Sequence, residues 1–202
     1  MAEQGTQEWL EERLGRVTAS RIGDVMMKAT TAGYQNYRSQ LVCERLTGRP
    51  TEMHVSAAMQ HGTDTEPQAR AVYTMQTGLM VEETGFIPHP SIAMSGASPD
   101  GLVGDDGLVE IKCPQPTEHI RVLTGGDIKR GYVLQMQWQM ACTGRGWCDF
   151  VSFNPDLPDD LQVSIQRVEA DAKLQAEIAA AVEAFLADVD AVIAKLRTKE
   201  AA

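Results

Sequence analysis

The chain has 202 residues, 43% of them apolar, and a net charge of −10. That length suits one globular domain, since single cores grow to about 250 residues before dividing. No apolar run reaches the roughly 18 residues that would span a bilayer, and an acid excess of this size excludes a protein coated all over with phosphate-binding cations. The charge is uneven, however. Residues 10–50 carry Arg13, Arg16, Arg21, Lys28, Arg38, Arg45 and Arg49 against Glu11, Glu12, Asp24 and Glu44, whereas residues 155–202 hold ten acids and five bases. A basic groove on an acidic body therefore remains open. The polar, acidic start lacks the features of a secretory signal, so a cytoplasmic protein is expected. Cys43, Cys113, Cys142 and Cys148 form no C-x-x-C pair and read as reduced, mostly buried thiols.

In chain order, residues 6–14 suggest a short helix. Thr18 and Ser20 are N-cap candidates for a second, carrying Ile22, Val25 and Met26. A third runs from about Tyr34 to Leu46 and stops at Thr47-Gly48. A fourth covers roughly 63–77, ending at Gly78 and placing Pro67 near its first turn, where proline is tolerated. From Gly85 the texture shifts to short segments rich in turn residues. Residues 85–113 read as three antiparallel-leaning strands, with Asp106-Gly107 as a hairpin turn. Helices near 114–123 and 130–143 follow, then strands near 147–153 and 161–168. A long helix over 170–198 carries Leu174, Ile178, Val182, Phe185, Val189, Val192 and Leu196 on one apolar stripe. The expected fold class is α/β: one domain with N-terminal helices over 6–78, a central mixed sheet over 85–168 and a closing helix over 170–198.

The chemistry concentrates in Ser98-Pro99-Asp100-Gly101 and, nine residues on, Glu110-Ile111-Lys112. On a strand, residues two apart share a face, so Glu110 and Lys112 point one way and Ile111 the other, into the core. Asp100 ends the preceding strand, and the hairpin returns it beside Glu110. Two carboxylates and the Ile111 carbonyl offer hard oxygen donors that suit Mg²⁺, which keeps several waters. Lys112 then stands where it can orient or help deprotonate a metal-bound water, for in-line hydrolysis of a phosphodiester. Glu66 offers a third carboxylate from a preceding helix.

The sequence resembles the lambda-exonuclease (YqaJ-type viral recombinase) family of PD-(D/E)xK nucleases over about residues 7–153. The likeness rests on WLEERLGRVTAS (Trp9 to Ser20), HGTDTEPQAR (His61 to Arg70), SPDGL at 98–102, EIKCP at 110–114 and Gln135-Met136-Gln137, in that order. It implies that Asp100, Glu110 and the Ile111 carbonyl bind metal, with Glu66 contacting the ion or its water. It further implies that Lys112 is the catalytic lysine and that Gln135 helps hold the lysine or the attacking water. Arg13, Ser20 and Ser98 match a pocket for a terminal 5′-phosphate, and a guanidinium beside two hydroxyls suits that anion. Two places depart from the family: Pro90 stands where its best-known member has an extra acid, and the basic loop after the second helix keeps only Lys28 before Ala29-Thr30-Thr31.

The activity so implied is a 5′→3′ exonuclease on double-stranded DNA ends, using two Mg²⁺ ions with Mn²⁺ as a substitute. It would release mononucleotides and leave a 3′ single-stranded tail. A ring-shaped homotrimer, a single-strand annealing protein as partner and a phage or prophage origin are implied with it, and no membrane. Two other readings stand beside this one: a structure- or sequence-specific endonuclease of the same superfamily, and a catalytically inactive DNA-end-binding module. Single residues also carry plainer readings. Arg13 also fits a surface helix, Ser20 a plain N-cap, Gln135 and Gln137 the polar face of an amphipathic helix, and His61 a turn cap. Met53 and Met59 fit either core filling or wedges between DNA strands.

Overall fold

Thr6 opens the first helix, its hydroxyl accepting from the Trp9 N–H. The computed structural model describes residues 2–51 and 56–199; the sequence reading of Met53 lies outside them. The elements are α1 (Gln7–Glu12), β1 (Val17–Thr18), α2 (Ile22–Val25), α3 (Ala32–Thr47), α4 (Ala57–Thr77), β2 (Val81–Glu82), β3 (Ile87–Pro88), β4 (Ser95–Ala97), β5 (Gly101–Val103), β6 (Gly107–Lys112), α5 (Pro116–Leu123), α6 (Arg130–Thr143), β7 (Trp147–Phe153), β8 (Val163–Glu169) and α7 (Ala172–Lys199). No helix among the described residues is long and apolar enough to cross a membrane.

Several local expectations change. Neither Thr18 nor Ser20 caps α2: Thr18 makes no side-chain cap bond, and Ser20 sits within a 3-10 turn over Ala19–Arg21. Helix α4 begins at Ser56, whose hydroxyl accepts from the Met59 N–H, so Pro67 is interior rather than in the first turn. The helix survives because Pro67 and Thr63, whose carbonyl loses its partner, lie on an exposed face where water can serve it. His61 is likewise helical rather than a turn cap. Among the cysteines only Cys142 and Cys148 are buried; Cys113 is half-buried and Cys43 is exposed.

The segment read as three antiparallel strands instead divides four strands between two sheets. One sheet has the order β1-β4-β3, in which β1 and β4 run parallel, Val17 opposite Ser95. The other has the order β2-β5-β6-β7-β8 and is mixed: β6 and β7 are parallel and the remaining pairs antiparallel. A parallel step needs a crossover, which α5 and α6 provide. Val103 pairs with Gly107, so the β5–β6 turn is residues 104–106 and its left-handed residue is Gly104 (φ +52°), not Gly107. Gly107 belongs to the strand and lies under Trp147, where a Cβ would come within 2.1 Å of the indole.

Helix α4 covers one face of the larger sheet, setting Ala69 and Tyr73 against Val109, Ile111, Val151 and Phe153. On the opposite face α5 and α6 set Val122, Met136 and Met140 against Leu108, Cys148 and Phe150. Beyond α6 lies a third cluster built by α2, α3 and α7, including Tyr37, Leu41, Trp138 and Phe185. Of the α7 stripe, Ile178, Val182, Phe185 and Val189 are fully buried, each contributing about 1.5–3 kcal/mol; Leu196 projects into solvent. Helix α6 is thus packed on both sides. It has no polar face for Gln137, which is buried, donates to the Glu169 carbonyl and accepts from the Asp171 N–H.

Candidate active site

Strand β6 is central in its sheet, and its alternation sends Val109 and Ile111 to the α4 side and Glu110 to the α6 side. Glu110 is therefore 0% exposed. A buried carboxylate needs partners for both oxygens. Its Oε1 accepts from the Lys112 ammonium and from Gln135 Nε2 at 2.7 Å, and its Oε2 from Gln139 Nε2 at 2.6 Å. Gln135 and Gln139 are one turn apart on α6, so one helix face grips both oxygens.

Asp100 directly precedes β5 rather than ending an earlier strand. Since Gly101 pairs with Val109, antiparallel register brings Asp100 opposite Glu110. Its Oδ2 accepts from the Ile111 N–H at 2.7 Å, tying the two motif halves together. Burial, and then the charges of Glu110 and Glu66, raise the Asp100 carboxyl well above the usual carboxylate range, against Lys112 and the Ile111 hydrogen bond. Glu66 projects from α4 into the same cleft and pairs with Arg70 at 2.6 Å. Burial raises its carboxyl too, with Glu110 adding to the rise and Arg70 and Lys112 opposing it. Burial alone would lower the Lys112 amine, but Glu110 and Asp100 outweigh it and hold the amine above its ordinary value. The Lys112 ammonium also lies 5.3 Å over the Tyr132 ring.

The cleft is lined by Glu66, Asp100, Ile111, Lys112 and Gln135, with Met59 and Ser20 at its margin. Met59 is 48% exposed, so core filling is not its role. A smaller pocket adjoins it and shares Ser20, Asp100 and Gln135, adding Arg13, Ser98, Trp9 and Thr18. The structure therefore brings the sequence-predicted residues to two adjoining hollows, except Glu110, which lies fully buried behind them and reaches the cleft only through Lys112 and Gln135. Arg13 is not a free surface arginine: its guanidinium lies 3.8 Å over the Trp9 ring, and burial lowers its pKa to about 10. Trp9 Nε1 donates to Ser98 Oγ at 3.0 Å. Sequence reasoning missed Trp9 and Gln139 as parts of the site. Spacing from Gln135 by four residues was the available signal for Gln139; the four-residue step from Trp9 to Arg13 was that for Trp9.

The donor chemistry fits a hard divalent cation. Mg²⁺ needs only one or two carboxylates plus water, and Asp100, Glu110 and the Ile111 carbonyl supply such a set. Burial, with the charge of Glu110 adding to it, raises both Asp100 and Glu66, and a cation would offset that cost. Among the described residues no group of three or more acids, histidines or cysteines is drawn together as a ready cage; Lys112, Gln135 and Gln139 hold the Glu110 oxygens and Arg70 pairs with Glu66.

Three comparisons bear on this arrangement. No curated protein matches the chain. Among solved structures, an alkaline exonuclease from Laribacter hongkongensis is 54% identical, covering 97% of this chain and 98% of that chain with a TM-score of 0.92; its complex with dAMP matches equally. A phage related exonuclease from Haemophilus somnus 129PT, 18% identical, covers 90% of this chain and 96% of that chain at a TM-score of 0.69, a likeness of fold alone. The model of the YqaJ-like viral recombinase domain matches residues 8–146, and the chain belongs to that family.

Proposed function

We propose that the protein is a Mg²⁺-dependent exonuclease that degrades double-stranded DNA 5′→3′ from phosphorylated ends, releases mononucleotides and leaves a 3′ tail. The DNA exonuclease activity is supported by the family and by the alkaline exonuclease that shares 54% of its residues. The finer reading rests on one observation: the hollow holding Asp100 and Gln135 beside Lys112 shares Ser20, Asp100 and Gln135 with a pocket that adds Arg13 and Ser98. A 5′-phosphate gripped by Arg13 and the two hydroxyls would set the first phosphodiester next to the carboxylates.

Asp100, Glu110 and the Ile111 carbonyl would hold the metal, with Glu66 toward its water. When bound, it would lower the pKa of the attacking water and polarise the scissile phosphate, and a second ion would steady the leaving oxygen. Lys112, paired with Glu110 and lining the cleft, would serve as a cation against the developing phosphate charge or orient the attacking water. Gln135 keeps Glu110 turned toward Lys112. In keeping with the family, the active form is a homotrimeric ring threaded by DNA and working with a single-strand annealing protein in recombination.

A time course on 5′-phosphorylated linear duplex tests the proposal. Mononucleotides should accumulate with Mg²⁺ or Mn²⁺, cease with chelator, and be absent from a closed circle. Lys112→Ala should lower kcat by about 10²-fold or more, as for loss of one donor to developing charge. Cutting of the circle would replace the exonuclease with an endonuclease, and an unchanged rate in Lys112→Ala would remove the chemistry proposed.

A further inference from the structure

We infer that Gln139 is a positioning residue that fixes the Glu110 carboxylate for cation binding. The inference rests on the metal-dependent reading above and extends it to a residue that cannot touch substrate. Gln135 is half-exposed at the cleft, whereas Gln139 lies one turn deeper and is 0% exposed. Its Nε2 at 2.6 Å is the donor to Glu110 Oε2, while Lys112 and Gln135 both act on Oε1. Without Gln139 the carboxylate is held at one oxygen and can rotate about its terminal bond.

The hydrogen bonding at this position shows which group Gln139 serves. Gln139 Oε1 is buried and has no hydrogen-bond partner among the described residues, and an orphaned buried acceptor is unfavourable. Turning the amide over would point that oxygen at Glu110, so its orientation is forced. The neighbours facing the sheet from the same helix are Met136 and Met140; a third methionine would remove the orphaned carbonyl but leave Glu110 Oε2 without its donor. A glutamine that gives one hydrogen bond to a buried acid and leaves its own carbonyl unpaired serves the acid. Groups that orient a metal-binding carboxylate from behind commonly carry about 10- to 100-fold of metal affinity or activity.

Gln139→Met keeps the length and unbranched shape of the side chain and removes the donor. Mn²⁺ binding to the full chain without DNA is measured by calorimetric titration, beside the metal-free melting temperature and the steady-state constants. We expect Mn²⁺ binding weakened about 10- to 100-fold, a melting temperature about 3–12 °C lower from the lost donor to a buried acid, and a lower kcat at unchanged KM for DNA. Gln139→Asn, which keeps the amide but shortens its reach so that water can bridge to Glu110, should fall between; it also serves if the methionine variant does not fold. Asp100→Asn is the control. If that control binds Mn²⁺ like the parent, the metal reading fails and this inference with it. If the control loses Mn²⁺ while both Gln139 variants stay within twofold of the parent, only the role of Gln139 is overturned.

Discussion

Trp9 gives the sharpest test of the terminal-phosphate pocket, because it supports two members of that pocket by separable means. Its ring face lies 3.8 Å from the Arg13 guanidinium carbon, and its N–H donates to Ser98 Oγ at 3.0 Å. Since Ser98 Oγ accepts from the indole, its own O–H is free to donate into the pocket. Trp9→Phe keeps a ring under Arg13 and loses the Ser98 bond. A neutral hydrogen bond is worth about 0.5–1.5 kcal/mol, so the preference for 5′-phosphate over 5′-hydroxyl ends should fall by about 2- to 12-fold. Trp9→Ala also removes the cation–π contact, worth about 0.5–2 kcal/mol. The two losses sum to about 1–3.5 kcal/mol if independent, a fall of about 5- to 300-fold. The assay is kcat/KM on duplexes that differ only in the 5′ group. Their ratio cancels any loss of folded enzyme, so a general weakening of the fold does not mimic the effect. A ratio in Trp9→Ala equal to that of the parent would refute both the pocket assignment and the bracing role.

The same ratio has a defined pH dependence. The second ionisation of a phosphomonoester lies near about 6, so the preference should grow from pH 5.5 to about 7.5. Burial lowers Arg13 to about 10, and a base loses its charge only as pH rises through its pKa, so the preference should then stay flat to about pH 9. A decline between pH 7 and 9 would show that another, weaker base carries the recognition. Gly107→Ala should destabilise the sheet, because the new Cβ would lie 2.1 Å from Trp147 Cζ2. Overpacking of this kind costs about 1–3 kcal/mol, a drop in Tm of roughly 2–12 °C for a chain of this size. An unchanged calorimetric melt would mean that Trp147 moves aside freely.

What could be read from sequence was what is decided locally. Helices α3, α6 and α7 and strands β7 and β8 announce themselves through their own periodicity and through stops such as Gly48, whose φ is +65°. Asp100, Glu110 and Lys112 were legible for the same reason, since one hairpin joins them and strand alternation fixes their faces. Strands β1, β2 and β3 are two residues each and leave no periodic trace. β1 exists only because Val17 meets Ser95 across a long stretch of chain, and no window around either residue carries that pairing. The turn was misplaced for a related reason. Asp106-Gly107 has the composition of a tight turn, but Gly107 is glycine because Trp147 arrives from a distant strand to cover it.

Gln139 shows where local reading must fail within the site itself. In a helix with one apolar face, glutamines are expected on the wet side, and that expectation places Gln135 and Gln137 there and passes over Gln139. Helix α6 has no wet side along this stretch, because the sheet covers one flank and α2, α3 and α7 the other. Each buried glutamine must then find partners in tertiary structure, and the two find different ones. Gln137 closes the junction between β8 and α7, while Gln139 turns inward to Glu110. Identical side chains two residues apart thus divide between holding the fold and aiming an acid of the active site. What separates them is the 200° of helical rotation between their positions, about 100° per residue at 3.6 residues per turn, read against surroundings that only the assembled molecule supplies.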